Sequence, residues 1–290
     1  MNLILDTDIG SDVDDALALA LIVGSPELKL DGITTVYGDT GLRARLARRY
    51  LRLAGGDAEL TIAAGLQTPR SGREIWWTGH EGALFTDLDS ERVDSDAVSY
   101  LVQAAAAAPG TVDVLAIGPL TNIAAALDAD PAFATNISRL VIMGADFRSV
   151  DRIPEHNIKC DVDAARRVFD SGIDIYVGGL DLTTKIRIDA EDVSQIAQAG
   201  PLGDALAQEI DVWWKFNNED GNTPHDPILA LFIARPDLFT TTRASVAIGD
   251  DGTTEATVDP GGNVVILDTA VPDEVKRQLV QRIVDGSRLP

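Results

Sequence analysis

Apolar positions cluster in short blocks that alternate with helical stretches. Leu3-Ile4-Leu5 is a strand-like run that stops at Asp6, and Ala16 to Val23 continues as a helix ending near Gly24-Ser25-Pro26. The same alternation recurs. Ile33 to Tyr37 is strand-like and precedes an Arg/Leu-rich helical pattern from Leu42 to Ala54. Ile62-Ala63-Ala64 is a weak third strand, and Ser95 to Ala108 an Ala-rich helix stopped by Pro109-Gly110. Then come strand Val112 to Ile117, helix Thr121 to Leu127, strand Leu140 to Met143, helix Asp163 to Phe169 and strand Ile173 to Val177. Beyond residue 185 the pattern is helical over Ala190 to Ala199, Pro201 to Asn217 and Pro227 to Ala234. Short strand-like runs follow at Ser245 to Ile248, Glu255 to Val258 and Val264 to Asp268, before a helix over Asp273 to Asp285.

This rhythm predicts an α/β fold. Its core is a mainly parallel, Rossmann-like open sheet with helices on both faces, followed by a helical C-terminal half with a few short strands. No linker, repeat or low-complexity segment divides residues 1–290, so a single domain is expected despite a length that would allow about two. Ligands in such sheets bind outside the carboxyl ends of the strands. Four turns that follow strands directly should meet there: Asp6-Asp8, Gly38-Asp39, Gly118-Pro119 and Gly144-Ala145-Asp146.

Charge narrows the partners. The net charge is −22, and only five of the 24 basic residues are lysine, which argues against nucleic acid and anionic membrane surfaces. No segment is apolar enough to span a bilayer, no secretory pattern precedes Asp6, and the single Cys160 allows no intrachain disulfide. A soluble, cytoplasmic protein is the expectation. The acidity fits either a well-solvated surface or a salt-rich cytoplasm that screens it.

Within Leu3 to Val23, Asp6, Asp8, Asp12, Asp14 and Asp15 fall inside ten residues. A helix N-terminus favours one or two acids, by about 0.3–1 kcal/mol each. A hard divalent cation with oxygen ligands accounts better for all five. An EF-hand is excluded, because its sixth and twelfth positions, counted from Asp6, hold Ser11 and Leu17. A haloacid dehalogenase-type D-x-D motif disagrees at Gly10, and no Walker-type Gly-x-x-x-x-Gly-Lys is present.

"DTDIGSDVDDALALA" closely resembles the N-terminal signature of the nucleoside hydrolases, the inosine-uridine preferring N-ribohydrolases. Three further segments agree in order: "VLAIGPLTNIAAAL", "PEHNIKCDVDAARRVF" and "HDPILALFIARPDLF". The resemblance implies Ca²⁺-dependent hydrolysis of a ribonucleoside to free base and ribose, a reaction of nucleoside salvage, in a homo-oligomer (dimer or tetramer). It implies that Asp8, Asp15, Asp226 and the main-chain carbonyl of Thr121 ligate the cation, and that Asp8 is also the general base. Asp14, Glu155 and Asn157 would contact the ribose, and His225 would stand near the leaving base as a proton donor. Asp6 would support the turn by hydrogen bonds. Without the family, Thr121 reads as an N-cap, Asp226-Pro227 as a helix start, and Glu155 and Asn157 as loop residues.

Two places depart from the family pattern. Asp39 stands where Asn is common, and an Asp cannot donate as an amide does; it is kept as a substrate contact. Ser149, Val150 and Asp151 occupy the region where an Asn often reaches the 5′-hydroxyl. Base selectivity should come from "IWWTGHEGALF" and "DVWWKFNNEDGNTPHD", where Trp76, Trp77, His80, Trp213 and Trp214 are candidates to stack on a base; the plainer reading puts at least one Trp of each pair in the buried core. Two alternatives stay open on the same fold: hydrolysis of another or modified ribosyl compound, and a non-catalytic Ca²⁺ and ribose-binding protein.

Overall fold

The computed structural model describes residues 1–148 and 153–288. Ten strands form one sheet: β1 (Asn2–Thr7), β2 (Lys29–Thr35), β3 (Thr61–Ala64), β4 (Asp94–Ser95), β5 (Val112–Ala116), β6 (Ile137–Met143), β7 (Ile175–Gly178), β8 (Phe239–Ile248), β9 (Thr254–Val258) and β10 (Val264–Ala270). Their order is β4-β3-β2-β1-β5-β6-β7-β10-β8-β9. From β4 through β7 to β10 all neighbours run parallel, while β8 is antiparallel to β10 and to β9. The open α/β sheet expected from the sequence is present. Its C-terminal strands extend the main sheet by three positions, a placement that their spacing alone does not reveal.

Alternation along β1 explains the layering. Leu3 and Leu5 join the core on one face with the helices Asp14–Val23, His225–Ala234 and Pro272–Ser287; Ile4 joins the opposite core with Leu101, Ile123 and Val168. The Asp14–Val23 helix packs against both of the other two on its face, and its residues from Asp14 to Ile22 are all buried. A helix that is apolar all round belongs inside a protein. Its first turn therefore carries Asp14 and Asp15 into the interior. At its far end Gly24 packs against the last helix; a Cβ there would lie 2.0 Å from the Arg282 carbonyl oxygen.

Most predicted elements are found within a few residues of their expected ends. The exceptions are short or polar. Strand β4 has two residues, and the helices Phe133–Asn136, His156–Cys160 and Leu180–Thr183 have four or five, too few to show a period. Strand β8 begins six residues before the expected Ser245, because Thr240, Thr241 and Thr242 give its first half no apolar run.

Candidate active site

Strand order reverses between β1 and β5, where chain connections leave in opposite directions; in open α/β sheets the carboxyl ends at such a point frame a crevice. A cavity of about 290 Å³ lies at this position, lined by Asp8, Asp12, Asp14, Asp15 and Asp226, among others. Asp8 follows β1 directly. It sits so close to the turn after β5 that a Cβ on Gly118 would fall 2.8 Å from Asp8 Oδ1, so only glycine fits.

Two helix N-termini meet here. Asp14 and Asp15 lie in the first turn of one helix and Asp226 in the first turn of another, and Asp226 N donates to Asp14 Oδ2 at 3.4 Å. Oxygens of Asp14, Asp15 and Asp226 lie within 4.8 Å of one another. The sequence expectation had Asp8 in the ligand set and Asp14 on the sugar; in the structure Asp14 completes the tight trio, with Asp8 beside it. Burial, then repulsion from neighbouring aspartates, raises the pKa values of Asp14, Asp15 and Asp226 well above the carboxylate range. Burial also raises that of Asp8, against the pull of Arg43 and His156. Asp12 lines the cavity too, and burial pushes its pKa to about 7. Clustered oxygen donors that resist ionisation together are a fitting set for a hard cation such as Ca²⁺.

Residues outside the acidic motif hold it in shape. Arg43, fully buried on the Thr40–Leu53 helix, donates to the carbonyls of Tyr37 (2.6 Å), Ile9 (2.9 Å) and Asp8. Thr7 Oγ1 donates to Asp15 Oδ1, and Ile9 N donates to Thr7 Oγ1 at 3.1 Å. Asp6, expected to support the turn, accepts from Thr34 Oγ1 (2.5 Å) and Asn122 Nδ2 (2.8 Å), tying β1 to its neighbours; burial pushes its pKa to about 7. Sequence reasoning missed Arg43 and Thr7. Thr7 lies inside the quoted motif, whereas one arginine among the five of that helix carries no local sign of burial.

Glu155, Asn157 and His225 line the cavity as expected. Glu155 caps the His156–Cys160 helix, accepting from Asn157 N (2.8 Å), Ile158 N (3.0 Å) and Ala145 N (3.2 Å). Asn157 Nδ2 donates to the Ile117 carbonyl at 2.9 Å, which leaves its side-chain oxygen as the group for a ligand. His225 Nδ1 lies 2.7 Å from Thr183 Oγ1, and burial lowers its pKa to about 4. Burial therefore favours the uncharged imidazole, which can donate a hydrogen bond, and removes the minor imidazolium fraction that an ordinary histidine keeps near neutral pH.

Three expected site residues do not line the cavity. Asp39 is exposed and caps the Thr40–Leu53 helix, accepting from Leu42 N at 2.9 Å. His80 Nε2 lies 2.9 Å from the Ser11 carbonyl oxygen, with its ring edge-on to Trp213 at 6.3 Å, so it stands behind the lining. Thr121 is not an N-cap: it is the first residue of its helix after Leu120, and its hydroxyl donates to Asp161 Oδ2 at 2.6 Å. Asp226 and Pro227 likewise lie inside a helix that begins at His225. Of each Trp pair one member lines the cavity, Trp76 and Trp213; Trp77 lies over the Arg43 guanidinium and Trp214 donates to Asn222 Oδ1. Ser149, Val150 and Asp151 lie outside the described residues.

The profile of the inosine-uridine preferring nucleoside hydrolases matches residues 3–286. The non-specific ribonucleoside hydrolase RihC of Salmonella agona is 32% identical over 297 residues, covering 99% of this chain and 95% of that one. A probable uridine nucleosidase of Arabidopsis thaliana is 31% identical, covering 87% of this chain and 83% of its own. The solved structure of a purine-preferring ribonucleoside hydrolase from Gardnerella vaginalis superposes over 100% of both chains with a TM-score of 0.87 at 26% identity. Among the described residues no helix is long and apolar enough to cross a membrane. The chain belongs to the inosine-uridine preferring nucleoside hydrolase family, enzymes that hydrolyse the N-glycosidic bond of ribonucleosides.

Proposed function

We propose that this enzyme is a Ca²⁺-dependent ribohydrolase that releases free base and ribose from a nucleoside, with Asp8 as its general base. The observation that carries this reading is the buried Asp14, Asp15 and Asp226 trio, with the charge of Asp8, at the carboxyl end of β1, close enough to raise the pKa of Asp226. Asp15, Asp226 and Asp8 would hold the cation, and Asp14 is a further ligand candidate by its place in the trio; the Thr121 carbonyl, outside the cavity lining, is added by the family resemblance alone. Bound there, Ca²⁺ supplies Lewis acidity and a fixed positive charge that lets the carboxylates remain ionised together.

The chain's own groups do the rest. Asp8 accepts the proton of the attacking water. Bond cleavage builds positive charge on the ribose ring, an oxocarbenium-like state that a ring of carboxylates stabilises. Glu155 and the Asn157 side-chain oxygen are placed to accept from sugar hydroxyls. Neutral His225, set by Thr183, offers a hydrogen bond to the departing base.

The test is Asp8→Ala together with chelator-treated wild type. Turnover should fall about 10²–10⁴-fold in the variant, the range of general-base catalysis. Added Ca²⁺ should restore stripped wild type and leave the variant inactive. Hydrolysis retained by Asp8→Ala would overturn the assignment. The names of the relatives span uridine, purine and non-specific hydrolases, so base preference belongs to each chain's own cavity.

A further inference from the structure

Of the three histidines in the chain, His156 is the one to which the sequence motifs assign no role. It opens the short helix between Glu155 and Asn157 and lines the same cavity. Its two neighbours are buried while it is exposed. Three contacts fix its ring. Cys160, one turn along the same helix, places Sγ 3.4 Å from Nε2. Trp76 stands edge-on with ring centroids 5.2 Å apart, and Tyr37 edge-on at 6.4 Å.

Cys160 meets two polar groups, Nε2 of His156 and the hydroxyl of Tyr37. Burial pushes the Cys160 thiol up to about 12, so it keeps its proton at neutral pH. An S–H that donates to Nε2 leaves the proton of a neutral ring on Nδ1. Among the described residues Nδ1 has no hydrogen-bond partner.

We propose that the Cys160 S–H donates to Nε2 and that His156 is a base-recognition residue whose Nδ1–H donates to a carbonyl oxygen of the nucleobase, with Cys160 as the positioning residue that fixes the tautomer. The proposal rests on the ribohydrolase reading above and adds a selectivity element to it. A donor at this place favours an oxo-base over an amino-base. Inosine and adenosine make the cleanest comparison, since C6 carries a carbonyl acceptor in one and an amino donor in the other.

The experiment measures kcat/KM for inosine and adenosine with wild type, His156→Phe, Cys160→Ala and Cys160→Ser. Wild type should favour inosine by about tenfold or more, the scale of one hydrogen bond made or mismatched. His156→Phe keeps a ring against Trp76 but has no N–H, and should bring the ratio close to one, chiefly through inosine. Cys160→Ala should lower the ratio partway, and Cys160→Ser, which still donates, should keep it. An equal loss on both nucleosides in His156→Phe would overturn the proposal, because the ring would then serve the ribose or the fold. A wild type without preference would overturn it too. Should His156→Phe fail to fold, Cys160→Ala decides: an unchanged ratio there overturns the tautomer argument. Wild type releasing base from no nucleoside would remove the hydrolase reading as well, whereas a collapsed ratio with turnover retained concerns His156 alone.

Discussion

Two acidic regions of this molecule treat the same side chains in opposite ways. Around the Thr40–Leu53 helix, Arg49 pairs with Asp87 (2.7 Å) and Glu91 (2.6 Å), and Arg52 pairs with Glu91 (2.6 Å). Burial works against ionisation of Glu91, but the hydrogen bonds from these arginines outweigh it and hold the carboxyl below its usual range. In the cleft, Asp14, Asp15 and Asp226 crowd together and are pushed the other way by burial and by each other. Arginine is available to this chain and is spent elsewhere. The mismatch left in the cleft is what a divalent cation corrects, and a paired cleft would have no affinity left for one.

Arg43 gives the sharpest way to test that contrast, since it is the arginine that does enter the site. Its fork is used on main-chain carbonyls, so it shapes the loop while only moderating the charge. Arg43→Met should cost about 3–5 kcal/mol, the range for removing one partner of a buried charged cluster, because several buried carbonyls lose their donor. Urea unfolding measures it. A loss under about 1 kcal/mol would mean that the loop holds itself.

A smaller effect is expected from the cation itself. Ca²⁺ at 100 times its dissociation constant should stabilise stripped protein by about 2.7 kcal/mol, visible as a rise in Tm. Asp226→Asn should lose most of that rise. A Tm that does not respond to Ca²⁺ would break the comparison, since the crowded carboxylates would then be tolerated by protonation alone.

How much of this was legible beforehand follows from distance along the chain. The first strand and the buried helix that follows it are local patterns, and each was readable; the helix carrying Asp226, expected from Pro227, begins two residues earlier, at His225. That Asp14 and Asp226 touch is a contact across 212 positions, which only the family resemblance could anticipate. Asp39 has a local role that the resemblance did not suggest, a helix cap that accepts from the main chain of Leu42 three residues on. His156 and Arg43 were unreadable because exposure to a cavity and burial of a charge are tertiary facts. Neither leaves a period in the sequence.

The smallest predicted effect has the opposite sign of pH dependence from the cleft. Arg282 binds Glu27 through both oxygens, at 2.7 and 2.9 Å, and its hydrogen bonds lower the Glu27 pKa to about 2. A carboxyl whose pKa falls on folding adds stability above its unfolded value, near 4.5, and loses it as pH drops through about 2. The Glu27 side chain is 37% exposed, so screening limits the contribution to about 1 kcal/mol or less. In the metal-free cleft the raised pKa of Asp6, about 7, makes stability fall as pH rises from about 4 to 7. Glu27→Gln should therefore destabilise slightly at pH 7, and the difference should shrink below pH 4 and in concentrated KCl. Urea unfolding of both proteins at pH 7, 4 and 2.5 follows it. A difference that persisted at pH 2.5 would show that Glu27 acts through packing against the last helix, and the contrast between paired and unpaired acids would lose its surface half.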